Sequence, residues 1–67
     1  MNKYPTDRNG DVYYGPKTFE AAREQINFLV SQGEGTPQDV AAEVADRMEA
    51  AGYAVGAEKV RTFYEIA

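Results

Sequence analysis

The apolar positions of this 67-residue chain fall into three stretches of helical spacing behind an irregular start. In the first, Phe19, Ala22, Ile26, Leu29 and Val30 recur three or four positions apart, which places them on one stripe of a helix. Thr18 is a good N-cap, Glu20 suits the positive end of the helix dipole, and Gly33 and Gly35 follow. A helix over about 18–32 is predicted. Phe28 lies off the stripe, toward Ala21, and either widens the buried face or stands exposed. The second stretch opens with Thr36-Pro37-Gln38-Asp39. Threonine caps, proline pre-sets φ at the first helical position, and Asp39 stands where a capping box usually takes Glu or Gln. Val40, Val44, Met48 and Ala51 then share a face, with Ala41 and Ala45 beside it and Gly52 at the end, so the second helix covers 36–51. After the connector Tyr53-Ala54-Val55, a third helix is predicted over 56–67. Val60, Phe63, Tyr64 and Ala67 share its inner face; Glu58, Lys59, Arg61, Thr62 and Glu65 lie mostly outside.

Residues 1–16 have no such spacing. Asn9-Gly10 is the pair favoured in tight hairpin turns, Val12-Tyr13-Tyr14 suits a strand, and Gly15-Pro16 stops it. Pro5 limits pairing in the preceding arm. The expected fold is mainly α: a short, turn-rich, β-hairpin-like N-terminal arm over 1–16, followed by a compact three-helix arrangement in one small domain over 1–67.

Composition changes this picture mainly by exclusion. Hydrophobic residues at 43% and charged residues at 27% lie near the globular average, so a disordered tail is not expected. The absence of Cys excludes disulfides, thiolate zinc sites and cysteine nucleophiles. The absence of His removes the commonest general base near neutral pH and the commonest transition-metal ligand. The only serine, Ser31, has no imidazole to activate it. A chain of 7.4 kDa buries only about 60% of its unfolded surface, which leaves few side chains to wall off a substrate cavity. A non-catalytic protein without cofactor, metal or small-molecule substrate is therefore expected. No apolar run approaches the roughly 18 residues of a membrane span, and Met1-Asn2-Lys3-Tyr4-Pro5 lacks the apolar stretch of a secretory signal. The default location is cytoplasmic, with no membrane partner.

Asp7, Asn9 and Asp11 alternate like the oxygen ligands that open a calcium loop, but Val12 and Thr18 stand where that loop needs glycine and a bidentate glutamate. Turn chemistry explains these residues better. Glu43, Asp46 and Glu49, with Asp39, line the outer side of the second helix. Such a row fits either an acidic mimic of nucleic acid, seated in a basic groove of a host protein, or a plain solvated face with Glu43 and Arg47 paired at i,i+4. The net charge of −4 favours the plainer alternative.

Residues 44–65 resemble a helix-turn-helix: a helix, a glycine-containing turn, and a helix carrying Lys59 and Arg61. With the turn aligned at Gly52, Glu58 and Arg61 occupy places where such motifs hold apolar residues. Val60-Arg61-Thr62-Phe63-Tyr64-Glu65 is also similar to the arginine-aromatic-tyrosine-glutamate ending of MerR-type recognition helices, with Thr62 interrupting the match. The resemblance implies a DNA-binding regulator whose third helix contacts the duplex through Lys59, Arg61 and Thr62, helped by Lys17 and Arg23. Against it, duplex binding draws on many cations, and acidic neighbours accompany most of the seven Lys and Arg residues.

Five tyrosines are many for this length. Tyr53 and Tyr64 are expected at the edge of the core, whereas Tyr13 and Tyr14 point to opposite faces if the strand is extended, so that one of them is outside. Tyrosine is enriched at binding hot spots because it offers rigid area with a hydrogen-bonding tip. The expectation is a protein-interaction surface drawn from Tyr13, Tyr14, Phe28, Glu43, Asp46 and Glu49, binding another protein or a second copy. Nucleic acid is the alternative partner. Compactness at this size also fits a phage-encoded or accessory modulator of a host protein.

Overall fold

Thr18 and Thr36 begin the first two helices as their sequence context requires. The structure, a computed structural model, describes Gly10 and residues 12–66. Within them run α1 (Phe19–Ser31), α2 (Pro37–Ala50) and α3 (Ala54–Phe63). The Thr18 hydroxyl accepts from the Ala21 amide at 3.1 Å and that of Thr36 from the Asp39 amide at 3.2 Å, so each satisfies one of the donors a helix start leaves open. Most of the Arg8–Asp11 turn, and all of the arm before it, lie outside the described residues, as do Asp7, Asn9 and Asp11. Gly10 has a φ of +87°, a value open to glycine at low cost.

All three helices end in the same way. In each, the second residue past the C-cap donates its amide to a carbonyl in the last turn: Glu34 to Leu29 at 3.1 Å, Tyr53 to Met48 at 2.8 Å, and Ile66 to Arg61 at 2.8 Å. The residue between must enter the left-handed region. Glycine does so after α1 and α2, at Gly33 and Gly52, but Glu65 does so after α3, with φ of +58°. A side chain there costs about 1 kcal/mol that glycine avoids. Glu65→Gly is therefore expected to raise stability by about 1 kcal/mol, seen as a higher urea midpoint at unchanged slope.

The core forms where the three apolar stripes meet. Ala22 and Ile26 of α1, Val40, Ala41, Val44, Ala45 and Met48 of α2, Ala51, and Ala57 and Val60 of α3 are buried. Phe19, Leu29, Val30, Tyr53, Tyr64 and Ile66 pack around them. The α2 face is the one the spacing predicts. Among the described residues only Ile26, Met48 and Val60 are large and fully enclosed, so the core is thin.

The third helix differs from expectation at both ends. It starts at Ala54, ahead of Gly56, and stops at Phe63. Gly56 does not begin the helix; it lies in its first turn, where a Cβ would come within 2.8 Å of the Met48 Cε. The glycine is there for close approach of α3 to α2. The α2–α3 corner is correspondingly short, since Tyr53 both closes α2 and accepts from the Ala57 amide at 3.0 Å to start α3. Phe63 also departs from its predicted inner position. With Ala57 and Val60 facing the core, it falls at the edge of the stripe and is 53% exposed.

Candidate functional site

The alternation of Tyr13 and Tyr14 is resolved by Gly15. Tyr13 is buried, its ring 5.8 Å from that of Tyr53, and its hydroxyl donates to the Pro16 carbonyl at 2.6 Å. That fold-back passes over Gly15, where a Cβ would sit 2.6 Å from the Tyr13 oxygen. Burial pushes the Tyr13 phenol above its ordinary value, and Tyr53 adds to the rise while Arg47 opposes it. Tyr13 therefore belongs to the core and is withdrawn from the contact surface. Tyr14 is turned the other way and is 87% exposed.

Tyr14 stands at the edge of a cleft of about 490 Å³ lined by residues 12–16, Gln25 of α1, and Val44 and Arg47 of α2. The concavity continues between α1 and α2 past Leu29, Val40 and Glu43. The lining is mixed: Val44 with Gln25 and Arg47 in the first part, Leu29 and Val40 with Glu43 in the second. Phe28, three residues beyond Gln25 on α1 and so next to it on the helix surface, is 61% exposed. Two aromatic side chains from the expected surface thus face outward on this side.

The acidic members of that surface are engaged within the chain. Glu43 accepts from Arg47 at 2.5 Å, the i,i+4 pair the spacing predicts. Arg61 reaches back from α3 to α2 with both arms of its guanidinium, donating through Nη2 to Asp46 at 2.8 Å and through Nη1 to Glu49. These hydrogen bonds, that to Glu49 first, raise the guanidinium pKa further above its ordinary value. Exposed pairs of this kind contribute at most about 1 kcal/mol each. Their main effect is to offset two of the negative charges in the row and to tie α3 to α2.

The same pairing divides the residues of the DNA alternative. Arg61 is occupied by carboxylates. Lys17, Lys59 and Thr62 lie with Phe19 and Val55 around depressions between the start of α1 and the outer face of α3. Arg23 stacks over Phe63 at 4.6 Å and over Phe19 at 5.9 Å. The patch formed by Phe19, Val55 and Phe63 was not foreseen. Its signal was present in Val55, which the spacing left in a connector, and in the position of Phe63 at the stripe edge.

Among the described residues no polar or charged side chain is buried, and no group of three or more carboxylates could hold a metal ion. No helix among them is long and apolar enough to cross a membrane. No family model, curated protein or solved structure matches this chain.

Proposed function

We propose that this chain is a small, non-catalytic interaction protein that binds another protein by surface complementarity. Its working surface is Tyr14 with the cleft bounded by residues 12–16, α1 and α2, extended by Phe28. The observation that carries the reading is Tyr14 itself, an aromatic side chain 87% exposed beside a cleft of mixed polar and apolar lining. Large aromatics next to such pockets supply most of the energy at protein interfaces, and a polar rim such as Gln25 and the Glu43–Arg47 pair sets register. Catalysis has little to draw on: among the described residues the enclosed titratable side chain is Tyr13, whose phenol burial pushes up, away from the neutral range that acid–base work needs. A modulator of a cytoplasmic partner is the role this surface suits.

The ion pairs bear on both alternatives. Arg61, a residue of the DNA-contact reading, and Arg47 are spent on Glu49, Asp46 and Glu43, which weakens the case for phosphate binding in a chain of net charge −4. The same pairs blunt the acidic row that a mimic of nucleic acid would present.

The test is quantitative capture from the source cell's lysate with nuclease present throughout. Tyr14→Ala is expected to weaken retention of the specific partner about 30-fold, the effect of losing a 2 kcal/mol hot spot. Glu43→Gln, Asp46→Asn and Glu49→Gln combined should leave it within a factor of about three, as rim positions do. Partners that vanish with nuclease, or that survive Tyr14→Ala and are lost in the triple variant, would refute the proposal.

A further inference from the structure

A second surface, lined by residues other than those of the Tyr14 cleft, lies between the start of α1 and α3. Val55 is 73% exposed and Phe63 53% exposed, and Phe63 meets half-buried Phe19 edge-on with ring centroids 5.4 Å apart. Beside them lies an open depression of about 490 Å³ lined by Phe19, Val55, Glu58, Lys59 and Thr62. Apolar side chains of this size in contact with one another, on a protein this small, mark an association surface.

The charges around the patch indicate what covers it. Lys17, Glu20, Glu58 and Lys59 border it, and none of the four pairs with an oppositely charged group among the described residues. Arg47 and Arg61 are matched by carboxylates of the chain, whereas Lys17, Lys59, Glu20 and Glu58 are not, and Arg23, stacked over Phe63 and Phe19, adds a third cation to the same apolar centre. A polyanion or a strongly acidic partner calls for a face of one sign. A two-fold axis, by contrast, sets each residue against a different residue of the same face in the other copy, so a self-complementary patch must carry both signs. The thin core adds a reason for covering more apolar area.

We infer that the Phe19–Val55–Phe63 face binds a second copy of this chain, forming a two-fold dimer in which Lys17 and Lys59 of each copy meet Glu20 and Glu58 of the other. The Tyr14 cleft stays open in such a dimer, which presents two of them.

Sedimentation equilibrium on the full chain, from micromolar to millimolar, tests this. The weight-average mass should rise from 7.4 kDa toward twice that value. Val55→Glu should raise the dimer dissociation constant about 30-fold or more, and Phe63→Ala should act in the same direction. Position 55 is exposed in the first turn of α3, where a carboxylate suits the helix dipole, so the variant keeps its fold and its circular dichroism. Glu58→Lys and Lys59→Glu should each weaken the dimer, and the two combined should restore it, because only pairing between copies recovers on exchange of sign. Tyr14→Ala should dimerise like the parent. A mass of 7.4 kDa at millimolar concentration, a dimer indifferent to both Val55→Glu and Phe63→Ala, or a dimer lost in Tyr14→Ala would overturn the assignment.

Discussion

Met48→Ala is expected to lower the stability of the domain by about 3 kcal/mol, within the range for emptying a fully enclosed site of a long apolar side chain. Met48 has no exposed surface and packs between α2 and α3, with its Cε lying where Gly56 has no side chain. A chain of this length has roughly 3–10 kcal/mol in total, so the variant approaches the limit of folding, with a melting temperature lower by about 15 °C. Thermal and urea unfolding measure both quantities. The contact with Gly56 gives a second readout from the same site. Gly56→Ala gains about 1 kcal/mol of helix propensity but meets the Met48 Cε, the far end of a flexible side chain that must shift, so part of that gain is lost in the parent. In the Met48→Ala background the overlap is gone, so Gly56→Ala should there be more stabilising than in the parent. Additive effects in that double-mutant cycle would show that the two residues do not meet.

The second large effect concerns the residue that anchors Val12–Pro16. Tyr13→Ala should cost about 3 kcal/mol, because it removes a buried ring from contact with Tyr53 and ends the hydroxyl bond to Pro16. Tyr13→Phe keeps the ring and should cost only about 1 kcal/mol, the value of the lost hydrogen bond. The hydroxyl also leaves a mark on pH dependence. Its folded-state pKa is raised by burial, so the unfolded chain releases the proton first as pH rises past the ordinary tyrosine value of 10.0. Above that value the unfolded state binds fewer protons than the folded one, and stability falls. The stabilisation is complete below pH 10.0 and is lost as pH rises through the folded value. Urea midpoints taken on either side of that pH should fall less in Tyr13→Phe than in the parent. Equal slopes would mean that the phenol is not enclosed.

What could be read from the chain, and what could not, follows from the range of each interaction. The second helix was legible because everything that specifies it is local: Thr36 and Pro37 at the start, Val40, Val44 and Met48 on one stripe, and Gly52 at the close. The third was displaced by two residues because a glycine inside a helix carries no local sign of why it is there. Gly56 reads as a boundary until Met48, eight positions earlier, is seen to occupy the space. Long-range charge pairing was equally hidden. Arg61 stands with Lys59 among the cations that the helix-turn-helix resemblance sets on a duplex, yet its carboxylates lie 12 and 15 residues back on α2. Alternation announced that one of Tyr13 and Tyr14 faces out, but the choice depends on the Tyr13 hydroxyl folding over Gly15 to reach Pro16.

The contact account is tested most directly by mapping backbone amide shifts of the isotope-labelled protein against two ligands in turn: the nuclease-resistant partner from capture, and duplex DNA at low salt. With the partner, the largest changes should fall on Tyr14, Gln25, Phe28 and Arg47, and DNA should produce none of comparable size. Changes centred instead on Lys17, Lys59 and Thr62 in the presence of DNA, with the Tyr14 cleft silent toward every protein captured, would contradict it.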